Sequence, residues 1–208
     1  MFGRRKINTS VVVSVLGGAG LLAGSWMLVA RHEVVPRWEA RLFEAVNDWP
    51  DVLWPVIWPP MQLGSLVGSL LVAGAAGLRT RDRRLVVACV GASQAGYWLA
   101  KGVKNVARRG RPGELLENVH LRENASGLGY VSGHAAVVFG LTTVLAPSMP
   151  AAWRPIALGT AGLVGVARVY AGAHLPLDVF GGTGFGLLLG TVARWTLGLG
   201  GEGLPPAT

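Results

Sequence analysis

Six apolar stretches, near residues 11–30, 53–78, 85–107, 133–149, 155–171 and 175–198, run through this chain of 208 residues, and short basic clusters separate several of them. The first, VVVSVLGGAGLLAGSWMLVA, has twenty residues and no charge. As a helix rising 1.5 Å per residue it spans about 30 Å, the thickness of one hydrocarbon core. Lipid offers the backbone no hydrogen bonds, so stretches of this kind are restricted to helices. Only 14% of the residues are charged, against 51% hydrophobic, whereas soluble domains carry nearer a quarter charged. The expected fold is therefore all-α, a bundle of six transmembrane helices forming one domain over residues 11–198. Residues 1–10 are expected to be a cytoplasmic N-terminus and 199–208 a disordered tail. MFGRRKINTS has the charged front of a signal peptide. The apolar run behind it is too long for an h-region and lacks a clear small-residue cleavage site, so a retained first helix is expected.

After the first span comes RHEVVPRWEARLFEAVNDWPDVLWP. Trp38, Leu42, Phe43 and Val46 recur near helical spacing among Arg37, Glu39, Arg41 and Glu44, which predicts a short amphipathic helix in the headgroup layer, anchored by tryptophans. Gly64/Gly68 and Gly182/Gly186/Gly190 recur every fourth residue, placing each set on one helix face where backbones can approach closely. The net charge of +8 comes without an aromatic-interleaved basic surface or a nucleic-acid-binding motif, which excludes nucleic acid as a partner. The single cysteine, Cys89, lies in an apolar run and supports neither a disulfide nor a thiolate metal site.

Polar chemistry collects in KGVKNVARRGRP (101–112), GYVSGHAAVV (129–138) and GVARVYAGAHLPLDVFGG (165–182). If six spans alternate, the third ends near Lys104–Arg111, the fourth starts at Ser132, the fifth ends near Arg168 and the sixth starts after His174. All four ends then lie on one face of the bilayer. Lysine and arginine suit an oxyanion. Lys101, Lys104 and Arg108 share a helical face, while Lys101 or Arg109 taken singly reads as a topology signal or snorkelling fringe. Ser132–Gly133 opens a helix whose free amides favour an anion, and Pro176 fits the first turn of another. His134 and His174 suit proton traffic near neutral pH, and Asp178, four residues after His174, can hold its imidazole in one tautomer.

Lys104 followed after six residues by Arg111–Pro112, then Ser132–Gly133–His134, then Arg168 with His174 and Asp178 at fixed intervals, resembles the tripartite signature of the type-2 phosphatidic acid phosphatase superfamily of integral-membrane lipid phosphatases. The resemblance covers roughly residues 36–198. Val131 and Ala167 stand where the family often has proline and serine. The resemblance implies a two-step phosphoryl transfer in which His174 is the nucleophile and forms a phosphohistidine, Asp178 orients it, and His134 is the general acid. Lys104, Arg111 and Arg168, with backbone amides near Ser132 and Gly133, would bind the phosphate. No cofactor and no metal are expected, because one carboxylate faces many cations in these stretches. The implied partner is a lipid phosphate held in the bilayer, such as a polyprenyl phosphate or diphosphate or a phosphatidic acid-like lipid.

With the N-terminus inside, Arg4, Arg5, Lys6, Arg79, Arg81, Arg83, Arg84, Arg154 and Arg194 fall in the cytoplasm, and the other ten of the 19 basic residues fall outside. Setting aside six in the site stretches favours an extracytoplasmic active site in a multi-pass protein of the cell membrane. A lipid phosphotransferase using the same intermediate, and a non-catalytic lipid-phosphate binder or transporter, are the alternatives.

Overall fold

A computed structural model describes residues 9–32 and 34–199, whose regular elements are all helical, with no strand among them. The order is α1 (Thr9–Arg31), α2 (Arg37–Asn47), α3 (Trp54–Met61), α4 (Leu66–Thr80), α5 (Arg83–Ala107), α6 (Pro112–Leu115), α7 (Gly133–Leu145), α8 (Trp153–Tyr170) and α9 (Pro176–Thr196), with 3-10 turns at Asp51–Leu53, Gln62–Gly64 and Ala146–Ser148. The expected cytoplasmic N-terminus and the tail fall almost wholly outside the described residues; α1 itself begins at Thr9.

Helices occupy all six expected segments, but not as six like spans. Among the described residues, α1 over Val11–Arg31 and α9 are long and apolar enough to cross a membrane. The second expected span is broken: Asp51–Gly64 and Leu66–Thr80 meet at 68°. Pro59 and Pro60 remove two amide donors within α3. Ser65 then turns extended (φ −80°, ψ 163°) and caps α4 by accepting from the Gly68 amide. Gly64 and Gly68 therefore flank a bend instead of sharing a helix face. Gly64 lies against the His134 carbonyl, where an added Cβ would come within 2.8 Å. Helices α5 and α8 have the length, 25 and 18 residues, but are too polar to pass by composition alone. Much of that polarity sits where they reach the candidate site.

Helix α9 is the axle of the bundle. Gly186 packs on the α7 backbone, where a Cβ would lie 2.5 Å from the Ala136 carbonyl oxygen, and Gly182 and Gly190 meet α7 in the same way. On the adjacent face, Gly18 of α1 meets Gly184. Backbones this close maximise dispersion contact, the main force holding helices together in lipid. The ladder predicted at 182, 186 and 190 is the α7–α9 seam.

The interfacial helix α2 forms as expected, although its buried face differs from the predicted one. Trp38 and Leu42 are exposed, whereas Glu39, Phe43 and Asn47 are buried. Asn47 bonds the backbone of His120 and Tyr170. Arg122 completes this corner: its guanidinium donates to Asp51 and to the carbonyls of Asn47, Trp49 and Tyr170, and stacks 4.0 Å over the Tyr170 ring. The segment 116–131 is thereby fastened across the end of the bundle where the polar motifs meet.

Candidate active site

Four helix ends supply this site: the C-termini of α5 and α8 and the N-termini of α7 and α9. Lys104, in the last turn of α5, donates to the carbonyls of Leu128 and Gly129 at 2.8 Å each. Arg111 caps the short α6; its Nε donates to Ser126 and Gly127, and its Nη1 donates to the Ala173 carbonyl at 2.6 Å. Arg168, in the last turn of α8, is 4% exposed and pairs with Glu123 at 2.5 Å. Its Nε is buried without a hydrogen-bond partner among the described residues. Loop carbonyls and one carboxylate thus hold three cations in place before any ligand arrives.

His174 is 3% exposed and lies in the turn between α8 and α9. That turn is closed by the Ala173 and His174 amides donating to the Arg168 carbonyl. It passes through Gly172, whose φ of +72° L side chains rarely adopt. The ring is oriented from both sides. Nδ1 faces Asp178 Oδ2 at 3.4 Å, and Nε2 lies 3.5 Å from Arg111 Nη1. Burial, followed by the positive charges of Lys104, Arg168 and Arg111, pushes the His174 imidazole well below its ordinary value, which leaves it neutral near pH 7. Asp178 is fully buried in the first turn of α9, and its Oδ2 also accepts from the Leu175 amide at 3.0 Å.

Ser132 caps α7 by accepting from the Ala135 amide, while its own amide donates to the Asp178 carbonyl. It therefore fixes α7 against α9, and the amides of Gly133 and His134, in the first turn of α7, have no intrahelical acceptor. His134 is half-buried and lies within electrostatic reach of Arg168, His174, Arg111 and Lys104. All eight predicted site residues meet at one end of the bundle.

Two predicted cations stand apart. Lys101 lies over the rings of Tyr97 and Trp98, and Arg108, in a left-handed C-cap, is exposed with its Nε toward Asn105. Arg109 turns inward instead and joins Glu39 and Asp178 in a buried ion triad. Burial works against its charge, but Asp178 and Glu39 outweigh that and hold its pKa above the ordinary value. Glu39 and Glu123, from outside the three stretches, add two carboxylates to the Asp178 that those stretches supply. Each is taken up by an arginine, and no cluster of three metal-ligating side chains occurs among the described residues. Sequence offered one signal for Glu39, its place beside Phe43 on the helix face that turns inward. Nothing singled out Glu123.

The sequence model of the PAP2 superfamily matches residues 84–199, which include every residue of this cluster except Glu39. The chain belongs to the PAP2 superfamily. Among solved structures it is similar to LpxE of Aquifex aeolicus, at 29% identity and a TM-score of 0.67 over 75% of this chain and 94% of that one. It also shares its fold with a transmembrane PAP2-type phosphatidylglycerolphosphate phosphatase of Bacillus subtilis, at 22% identity and a TM-score of 0.68 over 86% and 95% of the two chains. No curated protein sequence matches it significantly. The superfamily assignment and the apolar helices α1 and α9 make this a membrane protein.

Proposed function

We propose that this protein is a membrane lipid phosphatase that hydrolyses a phosphomonoester or diphosphate of a lipid through a phosphohistidine on His174. One observation carries the reading: a nearly buried imidazole, with Nδ1 3.4 Å from the Asp178 carboxylate and Nε2 3.5 Å from Arg111, stands in a cluster of three cations. With the ring proton on Nδ1, toward Asp178, the lone pair of Nε2 is available to attack phosphorus. The P–N bond forms as the P–O bond to the lipid breaks, and His134 gives a proton to the departing oxygen. In the second step water adds to phosphorus, its proton passes to a histidine, and the P–N bond breaks to release inorganic phosphate and neutral His174.

Catalysis here rests on positioning and on charge placed in advance. Lys104, Arg111 and Arg168 bind the equatorial oxygens together with the amides of Gly133 and His134. The orphaned Nε of Arg168 supports this assignment, since a buried donor without a partner costs about 1–3 kcal/mol, a cost a phosphate oxygen removes. Asp178, Glu39 and Glu123 are each paired with an arginine, which fits a reaction run without a metal. The lipid tail stays among the helices while the headgroup enters from the membrane surface, on the extracytoplasmic face. A polyprenyl phosphate or diphosphate, or a phosphatidic acid-like lipid, fits these requirements.

The test is phosphate release by purified protein from a panel of such lipids, with His174→Ala as control. Release that persists in EDTA and is abolished by His174→Ala supports the reading. Release that requires Mg²⁺, or that survives the substitution, refutes it.

A further inference from the structure

We propose that Glu39 and Arg109 are positioning residues for the His174–Asp178 pair, so that the interfacial helix α2 helps to set the nucleophile. The inference rests on the phosphatase reading above, yet Arg109 is one of the six unassigned positions between Lys104 and Arg111, and Glu39 lies outside the segment matched by the superfamily. Arg109 Nη1 donates both to Glu39 Oε1 at 3.1 Å and to Asp178 Oδ1 at 2.9 Å, while its Nη2 binds Glu39 Oε2 at 2.5 Å. That contact occupies one oxygen of Asp178 and leaves the other to the Leu175 amide and the His174 ring. The carboxylate is locked in rotation by a guanidinium that is itself locked by a second carboxylate.

Glu39 does more than hold Arg109. Its Oε1 also accepts from the Leu177 amide at 3.0 Å, so a side chain of α2 satisfies one of the open amides at the start of α9, the helix that carries Asp178. Charge points the same way. Arg109 alone would neutralise Asp178 and weaken its hold on an imidazole that becomes cationic or phosphorylated. With Glu39 the trio keeps one net negative charge against the imidazole. The opposite face of α2 exposes Trp38 and Leu42, which suit the membrane interface. One helix is thus both seated in the interface and bonded to the catalytic carboxylate.

The groups facing His174 are Lys104 from α5, Arg111 from the following loop, His134 from α7, Arg168 from α8 and Asp178 from α9, with Arg109 and Glu39 behind Asp178. The test measures kcat, KM and the pH profile of Glu39→Gln, Arg109→Met and Arg109→Lys on a lipid phosphate that the wild type hydrolyses. Each variant is expected to lose about 10- to 100-fold in kcat, as small misplacements do, with KM little changed. Removing the Glu39 carboxylate should move the acid limb of kcat/KM to lower pH, and removing the Arg109 charge should move it to higher pH. Arg109→Lys keeps the charge but not the fork, so it should lose rate with the limb in place; it also reads the geometry if Glu39→Gln does not fold. A purely structural role lowers the active fraction and leaves every limb where it was. Unmoved limbs in Glu39→Gln and Arg109→Met, or wild-type kcat in all three, overturn the proposal. A wild type that releases no phosphate refutes the phosphatase reading instead. Ring-¹⁵N spectra of His174 then still judge the network: the Nδ1–H tautomer should dominate in wild type and become mixed in Glu39→Gln, and identical spectra overturn it.

Discussion

Replacing Gly129 with alanine puts a methyl group into a tight gap behind the proposed catalytic pair, His174 and Asp178. A Cβ at this position would lie 2.7 Å from the Gly110 carbonyl oxygen and 2.9 Å from Asp178 Oδ2, the oxygen that faces His174. Ordinary contact begins near 3.4 Å, so the backbone oxygen must give by about 0.7 Å and the carboxylate by about 0.5 Å, an overpacking that costs roughly 1–3 kcal/mol. Neither neighbour is free to yield. Asp178 is held by Arg109 and the Leu175 amide, and the Gly129 amide donates to the Arg109 carbonyl at 2.7 Å. The Gly129 carbonyl also receives Lys104, so the same methyl group disturbs the ammonium proposed to bind phosphate. A misplacement approaching 1 Å lowers turnover by about 100-fold. The expected outcome for Gly129→Ala is therefore a kcat down by one to two orders of magnitude in protein that still melts cooperatively, a few degrees lower. Gly162→Ala, on α8 with nothing within 4 Å of its Cβ position, should keep full activity and equal or greater stability. Phosphate release and thermal melts of both variants in detergent decide the matter. Wild-type turnover in Gly129→Ala, or equal losses in both variants, refutes the reasoning.

Other outcomes follow from the same geometry. Glu123→Gln frees Arg168 from its 2.5 Å partner, so inorganic phosphate should inhibit several-fold more strongly, as a Ki titration will show. His134→Ala should slow release from a lipid monophosphate far more than from a diphosphate, because a phosphate leaving group needs less help from an acid than an alkoxide does; equal losses on both substrates contradict the assigned role. In ligand-free protein the His174 ring should show no protonation step at its ordinary value of 6.5, read by ring-nitrogen NMR, since its pKa is lowered. The sign for stability follows: below 6.5 the unfolded chain takes up a proton that the folded site refuses, so this residue makes stability fall as pH drops through that value.

The residues readable from sequence were those that lipid makes expensive. His174, Asp178, Arg168 and Lys104 stand out because ionisable groups in apolar helices need a reason to be there, and the alternation of spans brought their helix ends together before any coordinates did. Arg109 was hidden by its neighbours. In ARRGRP the arginines at 108, 109 and 111 look alike, and only the left-handed turn at Arg108 (φ 49°) sends the first outward and the second inward. Glu39 was obscured by a helix face counted from its tryptophan, since the apolar residues of α2 divide between lipid and protein. The bend at Gly64–Ser65 lay inside a run with no charged residue, and hydropathy carries no direction. Its two prolines and the Ser65 cap were present in the sequence, but their effect depends on α7 passing so close that Gly64 meets the His134 carbonyl.

The Arg122 clasp bears on how the proposed substrate would get in. Lifting the ceiling formed by 116–131 means breaking four hydrogen bonds from one guanidinium and its seat on Tyr170, together with the grips of Lys104 and Arg111 on Leu128, Gly129, Ser126 and Gly127. A door so riveted stays shut. For a lipid phosphate of the kind proposed, that leaves the approach to the cluster from between the helix ends at the membrane surface, with the tail never stepping into water.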